Sequence, residues 1–185
     1  MPSPKYLVDT NVILSRTNYR EYDEIVFPIY WENFDKLVNN GLIISTTKVN
    51  EEIEFLVEKG EVDEKILTWV KNYSKMFKLP SDEKYINETK NIKSKFPGWY
   101  HRNKSKADWT LVVYAKAYNL ILVTQETPNF NQTKDKEYNI PTTCKKLGAY
   151  CRCGLEVTSD IDPSKTPFQC INFVELVRRE ELNQF

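Results

Sequence analysis

Four carboxylates stand where the chain passes from an apolar run into a helix or loop. Asp9 closes Tyr6-Leu7-Val8, Glu52 lies in "LIISTTKVNEEI", Asp108 in "KADWTLVVYA" and Glu126 in "LILVTQE". Each has an ordinary explanation. Asp9 suits a turn with Asn11, Glu51 and Glu52 suit the first turn of a helix, Asp108 completes a capping box with Ser105, and Glu126 suits a loop. Taken together they fit one site better. Asp9 and Glu126 follow strands that, if parallel, share the carboxyl edge where open α/β sheets bind ligands. Asp108 shares a helix side with Leu111, Val112 and Ala115, and an inward carboxylate needs a partner. Four acids at one edge call for a positive ion between them, and hard oxygen donors suit Mg²⁺ or Mn²⁺ better than zinc.

The elements that must position these acids follow from hydrophobic spacing. Tyr6-Leu7-Val8, Leu42-Ile43-Ile44 and Leu120–Val123 read as buried strands. Between the first two, Phe27, Tyr30, Trp31, Phe34, Leu37 and Val38 recur at helical spacing, with Pro28 in the first turn and Gly41 as the stop. Thr46 or Thr47 is expected to cap a helix carrying Val49, Ile53, Leu56 and Val57, ending at Lys59-Gly60. Ile66, Leu67, Trp69, Val70, Tyr73 and Phe77 predict a further helix. A helix around Tyr85–Lys93 and a loop through Pro97-Gly98 then lead to Ser105, the expected cap of a long helix. A short helix is expected near Thr143–Leu147, and a strand and helix in "QCINFVELVRREEL". The stretch from Tyr150 to Phe168 reads as irregular. Strands separated by helices imply a parallel sheet covered on both faces. The expectation is one α/β domain over residues 1–185, three-layer α/β/α, with a mainly parallel sheet of four or five strands.

Composition bounds the function. The 185 residues carry 26 basic and 26 acidic side chains, so the neutral balance argues against a protein that coats nucleic acid non-specifically. No apolar run is long enough to span a bilayer. The opening Met1-Pro2-Ser3-Pro4 lacks a secretory pattern, so a cytoplasmic location and reduced thiols are expected. No glycine-rich dinucleotide fingerprint follows the first strand, and no P-loop is present. A haloacid-dehalogenase-type phosphatase normally opens with Asp-x-Asp, whereas Asn11 fills the second position here. The four cysteines, Cys144, Cys151, Cys153 and Cys170, include a Cys-x-Cys but no paired Cys-x-x-Cys. They are read as buried or incidental thiols holding no metal.

The ordered acids resemble the PIN domain, the metal-dependent ribonuclease fold of VapC-type toxins. More narrowly, "FPIYW…GLIIST…VNEEI…KADW…LVTQE…IPTTC" resembles an uncharacterised PIN-like family over nearly the whole chain. "VDTN" at Val8–Asn11 matches the opening motif and Asp9 its first metal ligand. Glu52 matches the second acid and Asp108 the third. Thr124 and Glu126 match the last motif, where many PIN domains have Thr-x-Asp. Glu126 therefore replaces the commoner Asp, and Trp109 stands where similar sequences often have Pro. The resemblance implies an endoribonuclease that uses Mg²⁺ or Mn²⁺ at Asp9, Glu52, Asp108 and Glu126, with Asn11 and Thr124 in support. It further implies tRNA, rRNA or mRNA as substrate, an antitoxin as partner, and a homodimer. The alternative is a catalytically idle PIN-like module that binds RNA or a protein. For RNA binding, Arg102, Lys104 and Lys106 form the expected basic rim, with Lys93, Lys95 and His101 nearby and Phe96, Trp99 and Tyr100 interleaved as stacking rings.

Overall fold

A computed structural model describes residues 3–17, 21–104, 106–154 and 162–184. Among these described residues, six strands form one sheet in the order β3-β2-β1-β4-β6-β5. They are β1 (Tyr6–Val8), β2 (Ile43–Thr46), β3 (Phe77–Lys78), β4 (Ile121–Val123), β5 (Tyr150–Arg152) and β6 (Gln169–Ile171). Every pairing is parallel. Tyr6, Leu7 and Val8 lie beside Ile121, Leu122 and Val123, while Tyr6 and Leu7 also face Ile43 and Ile44. These central strands are buried, which is why they read as unbroken apolar runs rather than alternating ones. The expected three-layer α/β/α architecture is observed, with more strands than the four or five expected.

The expected helices form with small shifts of boundary. After β1 come α1 (Thr10–Leu14) and α2 (Pro28–Asn39), then α3 (Thr47–Glu58) and α4 (Lys65–Asn72). Next are α5 (Glu83–Lys95), α6 (Pro97–Asn103), α7 (Ala107–Tyr118), α8 (Ile140–Lys146) and α9 (Phe173–Arg179). Gly41 ends α2 with φ +74°, a conformation that costs glycine little. α7 packs across β1, β2 and β4 and touches α5 and α8. α2 packs on β2, and its Trp31 stacks on Phe173 at the head of α9, with ring centroids 5.0 Å apart. No helix among the described residues is long and apolar enough to cross a membrane.

Four local readings are corrected. The helical run expected to reach Phe77 stops at Asn72, because Phe77 and Lys78 pair with Ser45 and Thr46 as the edge strand β3. Pro97-Gly98 opens α6 rather than a loop, with Pro97 in the first turn. Thr46 precedes α3 but makes no side-chain cap bond. Part of the stretch read as irregular is the strand β5, which pairs with β6. The cap expected at Ser105 falls outside the described residues.

Candidate active site

The sheet order turns at β1, which continues to β2 on one side and meets β4 on the other. A crevice opens at the carboxyl end of such a switch point. Here it is a cavity of ≈ 260 Å³ lined by Asp9, Thr10, Asn11, Leu14, Glu52, Leu56, Asp108 and Glu126. All four expected acids therefore face one space, although they come from β1, α3, α7 and the segment after β4.

Asp9 sits deepest, 4 % exposed, at the junction of β1 and α1. Its Oδ1 accepts from the Thr10 N–H at 2.7 Å and its Oδ2 from the Thr124 hydroxyl at 2.8 Å. Burial, then the charges of Asp108 and Glu126, push its pKa well above the usual carboxylate range, against the pull of those two bonds. Glu126 is raised to about 7 by burial first and by Asp108 second. Its Oε2 accepts from the Ile140 N–H at 2.7 Å, at the start of α8. Burial also raises Asp108, while the charges of Lys106 and Arg102 act in the opposite direction. Glu52 Oε2 accepts from the Thr10 hydroxyl at 2.5 Å. By contrast, Glu51 faces solvent and pairs with Lys48 at 2.5 Å.

Asn11 and Thr124 are joined to this set. The Asn11 side chain accepts from the Gln125 N–H at 2.9 Å and donates to the Thr124 hydroxyl at 3.3 Å. That hydroxyl, fully buried, also accepts from the Glu126 N–H at 3.1 Å. The turn carrying Glu126 is thus clamped to the Asp9 segment. Two contributors escaped the sequence reading. Thr10 holds Glu52, and its place between Asp9 and Asn11 was the available signal. The Ile140 N–H holds Glu126, and the helix-start pattern Asn139-Ile140-Pro141 was the signal there.

The expected RNA-binding rim is partly corrected. Arg102, Lys104 and Lys106 are exposed, and Arg102 donates to the Tyr138 carbonyl beside the cavity. Phe96 and Trp99, however, belong to the core, and Tyr100 packs edge-on against Trp109 with centroids 4.9 Å apart. Phe96, just before α6, and Trp99, within it, are both buried and offer no face for stacking a base. His101 is exposed on α6 and does not line the cavity.

The donor set fits a hard divalent cation. The lining offers carboxylate oxygens without a histidine or thiol, and three of the acids are held close enough to raise one another or to be raised by burial. Among the described residues, no three His, Cys, Asp or Glu side chains are already gathered as a finished metal cage.

No curated protein matches the chain. Eight chains of solved structures do match. One belongs to the crystal structure of VapBC2 from Rickettsia felis bound to a DNA fragment from their promoter. It is 18 % identical, with a TM-score of 0.46, over 65 % of this chain and 87 % of that one. A family described as "Domain of unknown function (DUF4411)" matches residues 6–158, a span that contains all four acids, and the chain belongs to that family.

Proposed function

We propose that this cavity is the active site of a metal-dependent endoribonuclease that hydrolyses RNA phosphodiester bonds. The observation that carries the reading is the meeting of Asp9, Glu52, Asp108 and Glu126 around one space at the sheet's switch point. Asp9 and Asp108 are the central metal ligands; Glu52 and Glu126 complete the pocket. A bound Mg²⁺ or Mn²⁺ supplies Lewis acidity and lowers the pKa of water, as phosphodiester hydrolysis requires. The chain's own groups set the geometry. Thr124 and the Thr10 N–H fix both oxygens of Asp9. Asn11 holds the turn that delivers Glu126, and the Ile140 N–H holds its carboxylate. Arg102 and Lys106, whose charges already reach Asp108, draw the RNA phosphates towards the acids, and Lys104 extends that rim. In line with the PIN resemblance, the enzyme is proposed to act as a toxin restrained by an antitoxin and to form a homodimer.

The test is incubation of the pure protein with total RNA and with tRNA in Mg²⁺, Mn²⁺ or EDTA. Cleavage is expected in metal, absent in EDTA and reduced at least about 100-fold in Asp9→Asn. Metal binding without cleavage of either RNA would support the idle, RNA- or protein-binding module instead. Cleavage that persists in excess EDTA would remove the metal mechanism.

A further inference from the structure

Among the described residues, every Phe, Trp and Tyr is buried or half-buried except Phe55, which is 53 % exposed. An exposed apolar side chain needs no explanation by itself. This one stands beside the acidic cavity. On α3 it lies three residues after Glu52 and one before Leu56, and both of those line the cavity. Residues three and four apart share a helix face, so Lys48, Glu52, Phe55, Leu56 and Lys59 make one stripe along α3 and its C-cap. Helical side chains lean towards the N-terminus. The N-terminus of α3 follows the carboxyl end of β2, so the ring leans towards the edge where the acids meet.

The surroundings of the ring suit a nucleic acid. Lys59 holds its ammonium 5.4 Å from the ring centroid, a cation over a π face. The other acids of α3 are turned away or paired. Glu54 and Glu58 line a different cavity with Asn50 and Val57, and Glu51 pairs with Lys48 at 2.5 Å. An exposed ring with a neighbouring cation is the combination by which proteins hold single-stranded nucleic acid: the base stacks and the cation takes a phosphate.

We propose that Phe55 is the base-stacking platform of the acidic site, holding an unpaired RNA base next to the bound phosphate, with Lys59 on a flanking phosphate. This rests on the reading of the acidic cavity as an RNA site, and it names the substrate class as single-stranded RNA or an unpaired loop. In a duplex each base is already covered by its neighbours, so no face is free for the ring. Stacking is tolerant of base identity, because every base has a π face. Phe55 therefore takes the role that the sequence assigned to Phe96, Trp99 and Tyr100, of which the first two are buried and the third packs on Trp109.

The experiment measures binding of a labelled single-stranded RNA, and of the same strand in a duplex, by fluorescence anisotropy. Asp9→Asn protein is used so that the RNA survives. Phe55→Ala is expected to weaken single-strand binding about tenfold, the loss of one stacked base. Phe55→Leu, apolar but without a ring, should lose as much, and Phe55→Trp should keep the affinity. The slope of log affinity against log salt should not change in Phe55→Ala, since stacking releases no counterions. Duplex binding should be unaffected. Unchanged single-strand affinity in Phe55→Ala, full affinity in Phe55→Leu, an equal loss on the duplex, or no RNA binding at all overturns the proposal. Light scattering adds a further outcome: a dimer split by Phe55→Ala at unchanged RNA affinity would give the ring to a second copy of the chain and overturn it too. Cleavage by the wild type judges the nuclease reading separately. Lost stacking without cleavage leaves the platform in an RNA-binding module, whereas cleavage with unchanged Phe55→Ala binding removes the platform alone.

Discussion

Asp9, Asp108 and Glu126 share a buried space in which like charges oppose one another. Glu126 is raised from an ordinary glutamate value to about 7, and Asp9 is raised in the same direction. A carboxyl whose folded pKa is raised favours the fold in its protonated form. That contribution is full below the unfolded value, near 4.5, and is lost as pH rises through about 7. In EDTA the wild type is therefore expected to lose stability between about pH 5 and pH 8, by an amount on the order of 1–3 kcal/mol. Asp108→Asn removes the second cause of the Glu126 shift, so its loss over that window should be smaller. At pH 8 in EDTA the variant should melt no lower than wild type, and about 1–3 °C higher. Mn²⁺ at a hundredfold excess over its Kd should stabilise the wild type by about 2.7 kcal/mol and the variant far less. Thermal melts over pH and metal check this. A variant less stable than wild type in EDTA that keeps its Mn²⁺ response would make Asp108 a helix-start acid only.

Among the elements, α6 and the start of α7 carry the basic side chains that the proposed function assigns to RNA. Pro97-Gly98 begins a helix whose inner side carries Trp99 and Asn103, both fully buried, and whose outer side carries His101 and Arg102. The exposed cations therefore stand without Phe96 and Trp99, two of the three rings expected to stack a base. Binding of this kind is electrostatic and releases counterions. Charge reversal at Arg102 and Lys104 is expected to weaken RNA binding and to lower the slope of log affinity against log salt, by about 0.7 for each phosphate that is no longer neutralised. Binding of catalytically inactive Asp9→Asn protein to labelled RNA over a salt series measures it. An unchanged slope would leave these residues as solvated surface.

For the molecule as a whole, an aromatic cluster ties α2 to the head of α9. Phe173 is fully buried, stacked on Trp31, set edge-on to Tyr22 with centroids 4.9 Å apart, and close to Phe34. Its N–H donates at 3.2 Å to the side chain of Gln125, the residue between Thr124 and Glu126. Phe173→Ala is expected to cost about 3–5 kcal/mol of stability, because the rings around it cannot fully close the space. Denaturant unfolding reads that loss. Below the lowered melting temperature, RNA cleavage per folded molecule should change little, since the backbone N–H that meets Gln125 remains. A cost under about 1 kcal/mol would mean that the ring cluster repacks freely.

Much of this arrangement was legible in local pattern. Tyr6–Val8 and Leu120–Val123 announced buried strands, Pro28 and Gly41 bracketed α2, and Asp9, Asp108 and Glu126 stood at a strand end or helix start, while Glu52 lies beyond the first turn of α3. Such signals act over a few residues, through backbone preference and the period at which side chains return to one face. What local pattern does not contain is the choice of neighbour. Phe77 fits the spacing of the preceding helix, yet Phe77 and Lys78 pair with β2 and satisfy its edge instead. The aromatic residues of α6 look exposed among lysines until the core claims them. The four acids line one cavity only because β1 lies between β2 and β4, and Cys151 meets Cys170 only because β5 lies in register with β6. Pairings between residues far apart in the chain are decided by burial and hydrogen bonding of the whole sheet, and this is why they belong to the tertiary structure.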